Sequence, residues 1–448
     1  MNKSTLALAV AVGVLAQQAG AAGFIEDSKA TLGLRNFYIN TDNRDSAATV
    51  NKNEEWGQGF DLRFTSGYTQ GTVGFGIDAI GLLGIKLDSG GGTNGASNNS
   101  YGGTVFPSKS NGEAVDNFSS LGLTAKAKIS QTELKLGTLQ PKLPVIVTND
   151  GRLLPQTFQG GQVTSNEIKD LTLIGGQIEH AKGRNSSNNE ELSIAGANGR
   201  TASGRDSNKF IYGGGDYKIT KDLTAQYYYG NLEDFYKQHF LGLVHNWAIG
   251  PGVLKSDLRY FNSRSDGANG NDSTYYTTGN YNGVASGKGE VDNNLYSGLF
   301  LYTVAGHTFG GGYQVSNGSS DFPWLNQGDG SSAYLTTDMQ IAKFARAGER
   351  TWQARYSYDF AKVGVPGLTA GMIYLRGNNI DTVGSNGNEN GSGRSEWERD
   401  ITVGYVVPEG PLKNVGVMWK NATWRNDVPG QRDQDENRLI VSYSLPLL

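Results

Sequence analysis

Basic residues recur at alternate positions in stretches that otherwise read as β-strands. Lys126 and Lys128 alternate with Leu123, Ala125, Ala127 and Ile129. Lys135 lies between Leu134 and Leu136, and Lys255 and Arg259 interleave with Leu254, Leu258 and Tyr260. Across 351–360, Gln353, Arg355, Ser357 and Asp359 alternate with Trp352, Ala354, Tyr356, Tyr358 and Phe360. Arg35 stands opposite Leu32 and Leu34, and Lys420 opposite Val417 and Trp419. Arg438 stands opposite Leu439, Val441, Tyr443 and Leu445. Successive side chains of a strand point to opposite faces. These cations therefore share the polar faces, with few acids beside them (Asp257 and Asp359 are two), although the whole chain carries a net charge of −4. Such a row lets an anion exchange one partner for the next without a deep trap. The plainer alternative is the scattered, acid-paired charge of any water-filled lumen.

Other chemistry is poorly supported. His180, His239, His245 and His307 have no metal-ligand spacing to one another or to a carboxylate cluster. No Gly-x-Ser-x-Gly elbow occurs, and Gly74-x-Gly76 sits in a strand pattern with no helix after it. Neither an enzyme nor a cofactor or metal is expected. Zero cysteines remove disulfides, thiolate zinc sites and a lipoprotein anchor. The mild net charge implies no nucleic-acid partner.

The elements that must carry the cations are strands. Alternation is clear over 122–130, 223–229, 254–261, 351–360, 401–407, 415–419 and 438–445. Beyond the N-terminal region no segment approaches the roughly 18 apolar residues of a membrane helix. With no helices to cover so many apolar faces, lipid is the economical partner, and the polar faces line a pore. An all-β chain forming a transmembrane antiparallel barrel follows. Strands of about ten residues allow about 16 to 18 of them.

Two kinds of connection support this. Tight turns fall at 220–222, 250–252, 365–367 and 410–412. Long segments rich in Gly, Ser and Asn fall near 89–104, 184–207, 264–287, 316–333 and 378–396. Short turns on one rim and long loops on the other suit an outer-membrane barrel. The 22 tyrosines and 7 tryptophans supply interfacial girdles. The stretch 139–169 has three prolines and poor alternation but is too apolar for a free loop. It is expected to fold inward as a constriction, with Arg152 at the eyelet; a loop packed over the outer rim is the alternative. At the N-terminus Lys3, the apolar run 6–16 and Ala19-Gly20-Ala21 form a signal-peptide pattern cut after Ala21. Residues 22–448 are then one barrel domain in the outer membrane of a Gram-negative bacterium, surrounded by lipid and lipopolysaccharide.

Several blocks of the chain resemble the OprD family of outer-membrane carboxylate channels. They include Gly23-Phe24-Ile25-Glu26-Asp27-Ser28, Leu34-Arg35-Asn36-Phe37-Tyr38, Arg152-Leu153-Leu154-Pro155-Gln156-Thr157, Trp352-Gln353-Ala354-Arg355-Tyr356 and Asn437-Arg438-Leu439-Ile440-Val441. The blocks 149–157 and 435–445 are most similar to the OpdK-like branch that includes OprE. The resemblance spans the chain from residue 23 to its end. It implies 18 strands, inward loops, a monomer or weak homotrimer, and a ladder of wall cations guiding small, in this branch often aromatic, carboxylates. By position that ladder comprises Arg35, Arg44, Lys128, Arg152, Arg355, Lys420 and Arg438, to which alternation adds Lys126 and Arg259. Where the family often carries arginine near the first strand this chain has Thr41, and where some members have two arginines on the penultimate strand it has Met418 and Lys420. A second inward loop falls near 321–338, where Ser331, Ser332 and Tyr334 offer hydroxyls. The expected function is passive, substrate-preferring passage of small organic acids. A general or sugar-type porin is the alternative, and an enzyme or structural barrel ranks behind it.

Overall fold

The computed structural model describes residues 23–44, 52–89, 103–194, 206–268, 290–326, 332–383, 389–429 and 431–448. The signal-peptide region lies outside them, as does Ser331. Eighteen strands form one sheet. They are β1 (Lys29–Asn43), β2 (Lys52–Thr65), β3 (Gly74–Asp88), β4 (Asn117–Ile129), β5 (Thr132–Leu139) and β6 (Thr157–Ser165). Next come β7 (Leu171–Lys182), β8 (Phe210–Lys218), β9 (Leu223–Leu232), β10 (Tyr236–Ile249), β11 (Gly252–Ser265) and β12 (Asp292–Val304). The last six are β13 (His307–Asn317), β14 (Arg350–Asp359), β15 (Leu368–Val383), β16 (Glu389–Val406), β17 (Gly416–Asn426) and β18 (Gln434–Pro446).

Each strand pairs antiparallel with the next, and β18 closes on β1 from Thr31↔Pro446 to Asn43↔Gln434. Closure leaves no strand edge unpaired, which is what a sheet in hydrocarbon requires. The period-two pattern sets the faces. Leu136, Leu241, Phe300, Tyr356, Met372, Val403 and Leu439 are exposed on the outside. So much exposed apolar surface is costly in water and is satisfied by lipid.

The four tight turns expected from sequence all lie at the rim that also carries the chain ends. The opposite rim carries the long connections. One expected loop is different. The segment 378–396 is mostly strand, because β15 runs to Val383 and β16 starts at Glu389, with irregular register between Gly377 and Val383. Backbone ladder bonds continue there although the side chains no longer alternate in polarity. The expected irregular stretch 139–169 is also shorter. Only 140–156 leaves the wall, and Thr157–Ser165 is a strand whose alternation is hidden by Gly160 and Gly161.

Apolar packing inside the barrel belongs to the loops. Phe158, Ile178, Phe210, Phe240 and Phe261 point inward and pack with Leu143, Val145 and Ile146 of one loop and Phe322 and Leu335 of another. A second cluster joins Phe37, Ile39 and Leu82 to Val105, Phe106, Leu153 and Leu154. A barrel this wide is not filled by wall side chains alone, and the inward loops occupy the rest.

Candidate permeation site

The loop 140–156 descends into the lumen as a small hairpin, Lys142–Leu143 against Ile146–Val147. Its return limb lies close to β2. A Cβ on Gly57 would stand 2.7 Å from Phe106 Cζ and 2.8 Å from Leu153 Cδ2, so glycine is what allows the approach. Arg35 of β1 and Arg184, just beyond β7, hold this limb. Arg35 Nη1 donates to Asp150 Oδ1 and to the Arg152 carbonyl, both at 2.7 Å. Arg184 Nη1 donates to Asn149 Oδ1 at 3.0 Å.

The loop 318–349 comes from the other side of the lumen. Arg259 Nη1 donates to the Tyr334 carbonyl at 3.1 Å, and its guanidinium lies 4.0 Å from the Tyr334 ring centre. Arg355 Nη2 donates to the Thr336 carbonyl. Carboxylates grip the amides of the same loop. Glu398 accepts from the N–H of Ile341 at 2.9 Å and of Ala342 at 2.7 Å, and Asp400 Oδ2 from that of Gln340 at 3.3 Å. Near the loop's end, the buried Glu349 carboxyl accepts from the Arg346 N–H at 3.0 Å. Burial, and next the Glu396 carboxylate, raise its pKa well above the usual carboxylate range. Burial also raises the Tyr334 hydroxyl, against the opposing pull of Arg259.

Arg438 joins the two loops. It donates from Nη1 to the Gly151 carbonyl at 3.3 Å and from Nη2 to the Gln340 carbonyl at 2.9 Å, while Nε meets Glu436 Oε1 at 2.5 Å. A backbone bridge between Val147 and Ser332 ties the loops a second time. Beside Arg438 on the neighbouring strand stands Lys420. Its ammonium makes no hydrogen bond or ion pair to a described residue, although the Asp400 and Glu436 carboxylates act on it electrostatically. Arg152 Nη2 lies 3.7 Å from Glu436 Oε2, and its buried Nε has no partner among the described residues. Three cations and two carboxylates therefore converge where the loops face the wall of β16, β17 and β18.

The cations named from sequence separate into groups. Arg152, Lys420 and Arg438 meet at this opening. Arg35, Arg259 and Arg355 face the lumen but are bonded to loop carbonyls, so they anchor the constriction as well as charging it. Lys126 and Lys128 lie nearer the tight-turn rim. Lys126 Nζ is 2.7 Å from both Asp78 Oδ1 and the Ser66 carbonyl, and Lys128 lies 5.8 Å from the Tyr68 ring centre. Lys135, with Arg63 and Lys142, borders a cavity of about 350 Å³ beneath the loop 140–156. Arg44 does not join the set. It sits at the outer end of β1, bonded to Asp435 and 3.7 Å from Asp42, whose side chains share the outward face. Tyr334 is committed to Arg259, and Ser332 lies between the loops.

The carboxylates Glu398, Asp400 and Glu436 were not picked out from sequence. Their signal was present: Glu396, Glu398 and Asp400 alternate directly ahead of the strand pattern 401–407. The expected loop 378–396 took in Glu396 and the expected strand began at Ile401, so Glu398 and Asp400 fell between the two.

Comparison with known proteins gives a consistent picture. The family model described as outer membrane porin, OprD family, matches residues 22–447. The porin-like protein GalP of Pseudomonas putida is 37% identical over 445 residues, covering 99% of this chain and 97% of its own length. The crystal structure of Pseudomonas aeruginosa OccK8 (OprE) is 64% identical with a TM-score of 0.85, covering 95% of this chain and 100% of that one. Pseudomonas aeruginosa OpdK, solved with vanillate, is 37% identical with a TM-score of 0.80 over the same shares.

Proposed function

The chain belongs to the OprD family of outer-membrane porins, and from that premise we propose that it passes small organic carboxylates, aromatic ones among them, by diffusion down their gradient. The protein is a channel of the outer membrane and not an enzyme. The observation that carries the proposal is the uncommitted Lys420 ammonium beside Arg438 and Arg152, at the place where both inward loops meet the wall.

A carboxylate entering the constriction loses part of its hydration, and cations facing it offset that loss. Asp400 and Glu436 prevent the cations from holding the anion too tightly. The cations bordering the lower cavity continue the pathway toward the tight-turn rim. The solved OpdK relative holds vanillate, itself an aromatic carboxylate, and this supports the choice of solute class. We propose also that residues 1–21 are an export signal removed before the barrel assembles.

Planar-bilayer recording in a salt gradient, with and without benzoate, tests the assignment. Anion-favouring reversal potentials and benzoate-dependent interruptions of current are expected. Conductance without charge preference or benzoate effect leads instead to a general diffusion porin, the reading that the two eyelet carboxylates favour.

A further inference from the structure

The outer face of strands β12 to β16 carries an arrangement that solute passage does not use. Three arginines point away from the lumen near the long-loop rim. Cross-strand pairing sets them among aromatic side chains: Tyr313, Trp352, Arg376 and Trp397 form one row, and Gly311, Ala354, Tyr374 and Arg399 the next. Arg350 pairs with Val315 one step above Trp352. The rings form a continuous ladder, with Trp352 and Tyr374 centroids 5.3 Å apart and Tyr374 and Trp397 5.8 Å apart.

None of the three arginines forms an ion pair with a described residue. Among the described residues Arg376 Nε reaches only Asn378 Oδ1, at 3.3 Å. Arg399 Nη2 donates to Asn421 Oδ1 and Thr423 Oγ1, both at 2.9 Å, and its Nε has no partner among the described residues. Other outward arginines on this rim do find acids: Arg44 and Arg425 meet Asp435, and Arg264 meets Asp292. Beside the patch lies an outward-facing groove of about 710 Å³, floored by Gly298 and Gly311 and walled by Tyr296, Phe300, Tyr313 and Val315. Val315 is the direct neighbour of Arg350, so groove and arginines are continuous.

We propose that this face binds a phosphorylated glycolipid of the outer leaflet, its phosphate on Arg350, Arg376 and Arg399 and an acyl chain in the groove. An unpaired cation on the lipid face of a barrel is costly except near the headgroups. Guanidinium matches phosphate through paired, charge-assisted hydrogen bonds. Tryptophan and tyrosine mark the headgroup level, and the long-loop rim places the patch in the outer leaflet. The proposal does not depend on which solute the lumen passes.

Native mass spectrometry of the full-length protein in detergent tests it, after incubation with lipid A, dephosphorylated lipid A, phosphatidylglycerol or inorganic phosphate. Wild-type protein should retain lipid A above the other three. The triple variant Arg350→Gln, Arg376→Gln, Arg399→Gln should retain it about tenfold less, as expected for the loss of charge-assisted bonds. Gly311→Leu offers a second variant. No atom of a described residue lies within 4 Å of the position its Cβ would take, so the side chain fills the groove without disturbing the wall. It should also weaken retention. Unchanged single-channel conductance in both variants certifies folded barrels. Equal retention of lipid A by wild type and triple variant would overturn the proposal. So would equal retention of the dephosphorylated lipid or of phosphatidylglycerol, or a change confined to oligomeric state.

Discussion

Lys420 and Arg438 are adjacent across β17 and β18 and share a charge, yet their tasks differ. Arg438 spends its donors on Glu436, Gly151 and Gln340, so part of its attraction is already used in holding loops. Lys420 spends none on a described residue and is free to meet a solute. Substituting Lys420→Gln should therefore lower anion selectivity while leaving the open-channel size unchanged. A loss of about 1 kcal/mol of attraction corresponds to about fivefold weaker benzoate binding, read from the concentration dependence of current blockade. Arg438→Ala should instead release both loops at once, giving noisier and larger conductance with a smaller loss of selectivity. If Arg438→Ala proves as quiet as wild type, the bridging role is wrong.

Among the elements, the inward loops are held by two complementary devices. Wall arginines take loop carbonyls, and wall carboxylates take loop amides. Glu398 does this for Ile341 and Ala342, and Glu55 on β2 does it for Thr104, Val105 and Phe106. Each group removed leaves a buried partner without its bond, at a cost of about 1–3 kcal/mol. Glu398→Ala should accelerate hydrogen exchange of the 341 and 342 amides with little effect on strand amides. Glu349 adds a pH dependence. Its folded pKa is raised, so its contribution is fully present below the ordinary carboxylate range and is lost as pH rises through the raised value. Attachment of the loop 318–349 should loosen with rising pH, seen as growing current noise. Glu349→Gln should flatten that profile, since the amide stays neutral throughout.

At the scale of the whole molecule, the closed sheet sets what each face tolerates. Val441 points to lipid in the middle of the outward run on β18, and its neighbour Ser442 borders a lumen cavity. Val441→Lys should cost about 2–4 kcal/mol of stability, as expected for a cation on the lipid face near mid-bilayer. Ser442→Lys should cost little. Urea unfolding in the presence of lipid vesicles separates the two, and equal losses would contradict the assigned faces.

The alternation of Leu439, Val441, Tyr443 and Leu445 with Arg438 is a backbone property that any strand expresses locally, so it was legible in sequence. The same period made the barrel and the inward direction of Lys126, Arg259, Arg355 and Lys420 readable. The tight turns were readable too, because their Gly and Pro constrain the chain within a few residues. Strand ends near the outer rim were not, since Asn, Ser and Gly lose the polarity contrast there while the ladder bonds persist. Nor was the division of the cations into loop anchors and free charges. Arg438 meets Gln340 and Gly151 across 98 and 287 residues of chain. Only closure of the sheet and folding of the loops into it bring those groups together. Arg44 illustrates the limit: resemblance to the family grouped it with the ladder, and the tertiary structure placed it on the outer rim beside Asp435.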